Sequence, residues 1–126
     1  MNHMSAQVIM LIKPTAILIH VPDVQAGLAW YQQAFPQAKA EYLPEFDFTL
    51  LHVGDFTIEV VQADEKVSEG KKGTVLYWQV DDFDLAFEHF TQLGAKLYRG
   101  PMLIDGNNRM CQLEDPFGNL IGLKGQ

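Results

Sequence analysis

The side chains of this chain that could do chemistry are few and scattered: Glu59, His20, His52, Tyr77, Gln79, Arg109 and Cys111. Carboxylates and imidazoles bind divalent metals or move protons. A tyrosine, a glutamine and an arginine can orient an organic ligand. The lone Cys111 excludes an intramolecular disulfide and a cysteine-based zinc finger. It has no neighbouring base, and its strand parity opposes that of Met110 and Gln112, which predicts a core thiol rather than a nucleophile. No glycine-rich loop is suited to cradling a phosphate. Any site must therefore come from side chains that separate elements bring to one surface.

Those elements occur twice. Ile17–Val21 reads as a strand that ends in Val21-Pro22-Asp23 and opens a helical pattern through Val24, Leu28, Tyr31 and Phe35. Thr74–Val80 reads as a strand that ends in Val80-Asp81-Asp82 and opens a helix with Phe83, Phe87 and Phe90 on its buried face. Val21 and Val80, Asp23 and Asp82, and Tyr31 and Phe90 share one offset of 59 positions. Asp23 and Asp82 (or Asp81) are placed to cap the helices. Pro36 stops the first helix and Gly94 the second. Strands are predicted after the first helix near 40–43, 46–53 and 56–62, with Gly54-Asp55 as a tight turn. After the second they are predicted near 96–98, 109–114 and 119–123, with Asp115-Pro116-Phe117-Gly118-Asn119 joining the last two. Residues 64–73 are charged and glycine-containing, as expected of an exposed connector. The expectation is an α+β single domain over 1–126: module one at about 14–63, the connector, and module two at about 74–124. Each module is βαβββ, and two curved sheets side by side would enclose a groove.

Bulk properties narrow the partners. Sixteen acidic against nine basic residues give a formal charge of −7, which argues against a nucleic-acid partner and mildly favours neutral or cationic small molecules. The apolar run Val8–Ile12 stops at Lys13-Pro14, far short of a membrane span, and nothing resembles a signal peptide. Together with the single cysteine, this gives a cytoplasmic expectation with no membrane partner.

Three segments together resemble the vicinal oxygen chelate superfamily, which includes glyoxalase I, extradiol dioxygenases, methylmalonyl-CoA epimerase and bleomycin resistance proteins. They are Val21-Pro22-Asp23 with Trp30-Tyr31, Gly54-Asp55-Phe56-Thr57-Ile58-Glu59, and Asp115-Pro116-Phe117-Gly118-Asn119-Leu120-Ile121. The resemblance implies paired βαβββ modules, a homodimer, and a site between two modules. In enzymes of the family it implies a divalent metal held by one side chain from each of four strands. Carried over, those positions are Ala16, Glu59, Val75 and Gly122, and only Glu59 has a donor. His20 shares the parity of Ala16 but is displaced by about 13 Å along the strand. His3 lies in the loose start and His89 is expected at the surface. His52 could face the groove from another strand. The expectation is therefore no metal and no cofactor.

Parity also lists what lines the groove. Leu18 and His20 go with Ala16; Thr57 and Val61 go with Glu59; Tyr77 and Gln79 go with Val75; Leu120 goes with Gly122. Arg109, just beyond the Asp105–Asn108 turn, is expected to reach the groove mouth. The alternate set, from Ile17 to Leu123, is strongly apolar and suits the helix side. Trp30 and Trp78 are expected in the core or at a dimer contact. The predicted ligand-binding set is Leu18, His20, His52, Glu59, Val61, Tyr77, Gln79, Arg109 and Gly122. Glu59 is the one catalytic candidate. The function expected from the resemblance is drug-sequestering small-molecule binding of the bleomycin resistance type, for a flat or cationic compound. The alternatives are a lyase, isomerase or dioxygenase with relocated metal ligands, or with Glu59 as base, and a scaffold whose groove is filled by its own side chains.

Overall fold

A computed structural model describes residues 10–126. Strand β1 (Ala16–Val21) leads into helix α1 (Val24–Ala34), followed by β2 (Lys39–Leu43), β3 (Phe48–Val53) and β4 (Phe56–Gln62). The order then repeats as β5 (Tyr77–Val80), α2 (Phe83–Gln92), β6 (Lys96–Leu103), β7 (Arg109–Glu114) and β8 (Leu120–Gly125). Each repeat makes one four-stranded sheet, in the orders β1-β4-β3-β2 and β5-β8-β7-β6. In each, the first strand runs parallel to the last and the others are antiparallel.

The helix starts follow from their caps. Asp23 and Asp82 both have extended backbones, and their carboxylates accept from the N–H groups of Ala26 (3.2 Å) and Leu85 (3.1 Å). Gly27 lets α1 lie close on its sheet, since a Cβ there would come within 2.9 Å of Val21 and Val60. The two largest departures from the expected boundaries lie in the second module. Strand β5 begins only at Tyr77, because residues 74–76 continue the irregular connector. Strand β6 runs on to Leu103, with register shifts on both sides of Arg99 that hide its alternation.

The core lies on the helix-bearing sides of both sheets. Ile19, Val21, Leu51, Ile58 and Val60 meet α1, while Cys111, Leu113, Ile121 and Leu123 form the matching face of the second sheet. The modules join through these sides. Trp30 Nε1 donates to the Leu93 carbonyl at 2.7 Å, and the Phe35 ring lies 4.6 Å from that of Trp78. Tyr31 donates its hydroxyl to the buried carboxylate of Asp115. The other Asp115 oxygen accepts from the N–H groups of Phe117 and Asn119, both at 2.8 Å, which fixes the turn before β8. Burial and the neighbouring carboxylate hold the Tyr31 phenol well above its ordinary value. Asn119 Nδ2 donates to the His20 carbonyl at 2.9 Å and ties that turn to β1. Among the described residues, no helix is long and apolar enough to cross a membrane.

Candidate functional site

The face of the first sheet away from the helices carries a small polar patch. Pairing of β1 with β4 sets Ala16 beside Thr57, Leu18 beside Glu59, and His20 beside Val61. Pairing of β3 with β4 sets His52 beside Thr57. Thr57 donates its hydroxyl to Glu59 Oε2 at 2.9 Å, and His52 Nε2 lies 2.7 Å from Glu41 Oε1. Leu18, 52% exposed, supplies open apolar surface next to Glu59. Two carboxylates, a hydroxyl and an imidazole thus share one face, and they can hold a hydrogen-bond donor or a cation. Glu41 was not among the expected residues. Its signal was the alternation Lys39, Glu41, Leu43, which became informative only once β2 paired with β3.

The corresponding face of the second sheet is built differently. Tyr77 pairs with Gly122, which pairs in turn with Gln112, and Gln112 pairs with Arg99. A Cβ placed on Gly122 would lie 2.6 Å from the Tyr77 ring, so the ring fills the space that any larger residue would need. Gln112 Nε2 donates to the Tyr77 hydroxyl at 2.9 Å, which leaves the phenolic hydrogen free to be donated. Lys124 pairs with Gln79 and Met110 on the same face. Gln112 and Arg99 escaped the sequence reading, the latter because of the irregular register of β6.

These residues do not fit a family-type metal. Of the four carried-over positions, Ala16, Val75 and Gly122 have no donor atom, and the Tyr77 ring fills the space over Gly122; only Glu59 keeps a donor. Among the described residues, no group of three or more His, Cys, Asp or Glu could hold an ion. One carboxylate does not make a transition-metal site.

Several placements need correction. Arg109 does not reach this surface: its side chain pairs with Asp84 at 2.9 Å and lies 4.7 Å over the Phe83 ring, on the helix side. The cause is parity, because Arg109 alternates with Cys111 and Leu113, which face the core. Gln79 keeps the parity of Tyr77, opposite Lys124, but it is exposed and also contributes to the wall of a separate cavity behind the sheets. His89 is half-buried, with Nε2 3.1 Å from the Ala34 carbonyl. His3 lies outside the described residues. The modules of one chain meet through their helix sides, and neither described cavity includes Glu59 or Tyr77 in its wall. Cys111 is buried, as its parity required, and desolvation pushes its thiol up to about 11.

Comparison with solved structures shows the same fold. The fosfomycin resistance protein FosX from Listeria monocytogenes superposes with a TM-score of 0.74 at 18% identity, covering 93% of each chain. A protein from the mobile metagenome of V. Pseudocholerae gives 0.73 at 20% identity, covering 94% of this chain and 98% of that one. A glyoxalase/bleomycin resistance protein/dioxygenase family enzyme from Burkholderia phytofirmans PsJN gives 0.70 at 21% identity, covering 88% and 96%. A search of curated protein sequences found no match. The sequence profile that matches spans residues 12–123, nearly the whole chain, and carries both modules. With that match and the paired βαβββ architecture, the chain belongs to the Glyoxalase/Bleomycin resistance protein/Dioxygenase superfamily.

Proposed function

We propose that this chain binds a small organic molecule without a bound metal, using the open sheet faces that carry Glu59 and Tyr77. The observation that carries this reading is the Tyr77 ring seated on Gly122, an aromatic surface where the family's enzymes place a metal ligand. The Glu59 carboxylate and Thr57 offer polar anchors, and Leu18 and Val61 offer apolar contact. The Tyr77 ring offers a face for stacking and a hydroxyl hydrogen to donate. That set suits a flat compound bearing an amine or other donor. The family's name includes bleomycin resistance proteins and one structural neighbour is named a fosfomycin resistance protein, which suits a small drug-like molecule as ligand.

A homodimer completes the site in this reading. The modules of one chain meet through their helix sides, so the second module of a partner copy supplies the wall facing Glu59. An isomerase using Glu59 as base is the competing function, and it requires a product.

The test is calorimetric titration of EDTA-treated protein against a panel of flat amines and their neutral isosteres, with product analysis of each mixture. The reading expects saturable binding that survives EDTA and yields unchanged ligand. Glu59→Gln should weaken binding about tenfold, the scale of one hydrogen bond to a charged group. Absence of saturable binding across the panel, or binding only after divalent metal is restored, contradicts it. Product formation that needs Glu59 transfers the assignment to the enzyme.

A further inference from the structure

A second cavity, of about 740 Å³, lies on the helix side, between the C-terminal end of α1, strand β5 and α2. Its volume is within the roughly 300–1,000 Å³ typical of small-molecule pockets. Three aromatic rings stand together in its wall: Phe35 lies 4.6 Å from Trp78 and 5.6 Å from Phe90. Ala86, from α2, is a small residue in the same wall.

The charge of the wall is one-sided. Asp81 and Asp82 both contribute to it, and no lysine or arginine does. Asp82 already caps α2 through the Leu85 N–H. Asp81 has no hydrogen-bond or salt-bridge partner among the described residues. His89 has Nε2 against the Ala34 carbonyl. An aromatic surface beside a free carboxylate is complementary to a cation with a flat apolar body. An anion of the same shape would meet two carboxylates and no counter-charge.

We infer that this cavity is a ligand site, separate from the Glu59 face, for a small amphiphilic cation that lies against Trp78 and pairs its amine with Asp81. The cavity wall includes neither Glu59 nor Tyr77 and needs no second copy of the chain, so this site stands or falls apart from the function proposed above.

The probe is proflavine, a planar cation, with 1-anilinonaphthalene-8-sulfonate as an anionic counterpart, both read by their own fluorescence. The titrations use the full chain as wild type and as Glu59→Gln, so that the open face lacks its anchor in the second. Saturable proflavine binding should persist in Glu59→Gln. Adding Asp81→Asn, an exposed change that leaves the fold intact, should weaken it about tenfold. Adding Ala86→Trp, which fills the cavity, should abolish it, with circular dichroism checking that this variant folds. The sulfonate should bind far more weakly than proflavine. The inference is overturned if Glu59→Gln alone removes all binding, if Asp81→Asn leaves the affinity unchanged, or if the sulfonate binds as well as proflavine. It is equally overturned if a second copy occupies the cavity, seen as a dimer in sedimentation that Leu85→Glu dissociates and whose dissociation exposes the proflavine site.

Discussion

The two modules share a plan, and one pair of neighbours shows how their open faces differ. In module one the adjacent strands set Leu18 beside Glu59; in module two the same places hold Tyr77 beside Gly122. The first pair is an exposed aliphatic side chain next to a carboxylate. The second is a phenol ring lying on a glycine, with its hydroxyl held by Gln112. On the helix sides the modules stay alike: aspartate caps, aromatic helix faces, and aliphatic strand residues beneath them. The duplicated fold is kept where burial dictates it, and the chemistry diverges on the faces that burial leaves free.

The strongest way to press the comparison is at the turns before the last strand of each module. Asp115 is buried, bonded to the Tyr31 hydroxyl and to two backbone N–H groups. Asp115→Ala leaves all three donors unpaired and should cost about 3–5 kcal/mol. Asp55, in the equivalent exposed turn of module one, should tolerate alanine within about 0.5 kcal/mol. Urea denaturation of the two variants measures the gap, and similar values would remove the asymmetry.

A somewhat smaller effect is expected on the open faces. Gly122→Ala pushes a methyl group into the Tyr77 ring and disrupts its bond to Gln112, at about 2–3 kcal/mol by the same assay. Leu18→Ala, in the matching place of module one, should cost less than about 1 kcal/mol, because Leu18 is half in water. If Gly122→Ala is neutral, the ring is not seated as described.

Alkaline pH probes the shared core instead. Cys111 and Tyr31 hold their protons more tightly in the folded chain than in the unfolded one. The stability they contribute is complete below their ordinary values, 9.0 for the thiol and 10.0 for the phenol, and is lost as pH rises through the folded ones. Between pH 9 and 11 the thiol alone should remove up to about 2 kcal/mol. Cys111→Ala, weaker at pH 8 because of its cavity, should show a shallower alkaline decline in denaturation midpoint. An equally steep decline would exclude the thiol as the cause.

On the open face of module one, a small stability change is expected beside a functional one. Glu59→Gln should move the unfolding free energy by less than about 1 kcal/mol, since its carboxylate is half-buried and, among the described residues, bonded only to Thr57. A large loss would make Glu59 a structural residue and weaken its assignment as an anchor.

Much of this was legible in the sequence, for identifiable reasons. The constant offset between Val21-Pro22-Asp23 and Val80-Asp81-Asp82 disclosed the duplication, because helix caps and strand ends are set locally. The alternation in β1, β4 and β8 separated core from open face, because a strand buried on one side must alternate. Arg109 was misplaced because proximity to a turn was allowed to outweigh its parity with Cys111 and Leu113. Arg99 was missed because the irregularities of β6 break the alternation that would have exposed it. Glu41 joins the open face through strand pairing, which local pattern does not encode, whereas Gln112 already alternates with the core residue Cys111 and needed pairing only to meet Tyr77. The cavity beside Trp78 is likewise a product of how α1 and α2 meet, and no single segment announces it.

The proposed metal-free binding rests on Glu59 on one face and a tyrosine ring over a glycine on the other. Elemental analysis tests it most directly. Untagged protein is equilibrated with nickel, zinc and manganese, desalted, and measured alongside Glu59→Gln. The account predicts less than about a tenth of an ion per chain in both proteins. One ion per chain in the wild type, lost in Glu59→Gln, would contradict it.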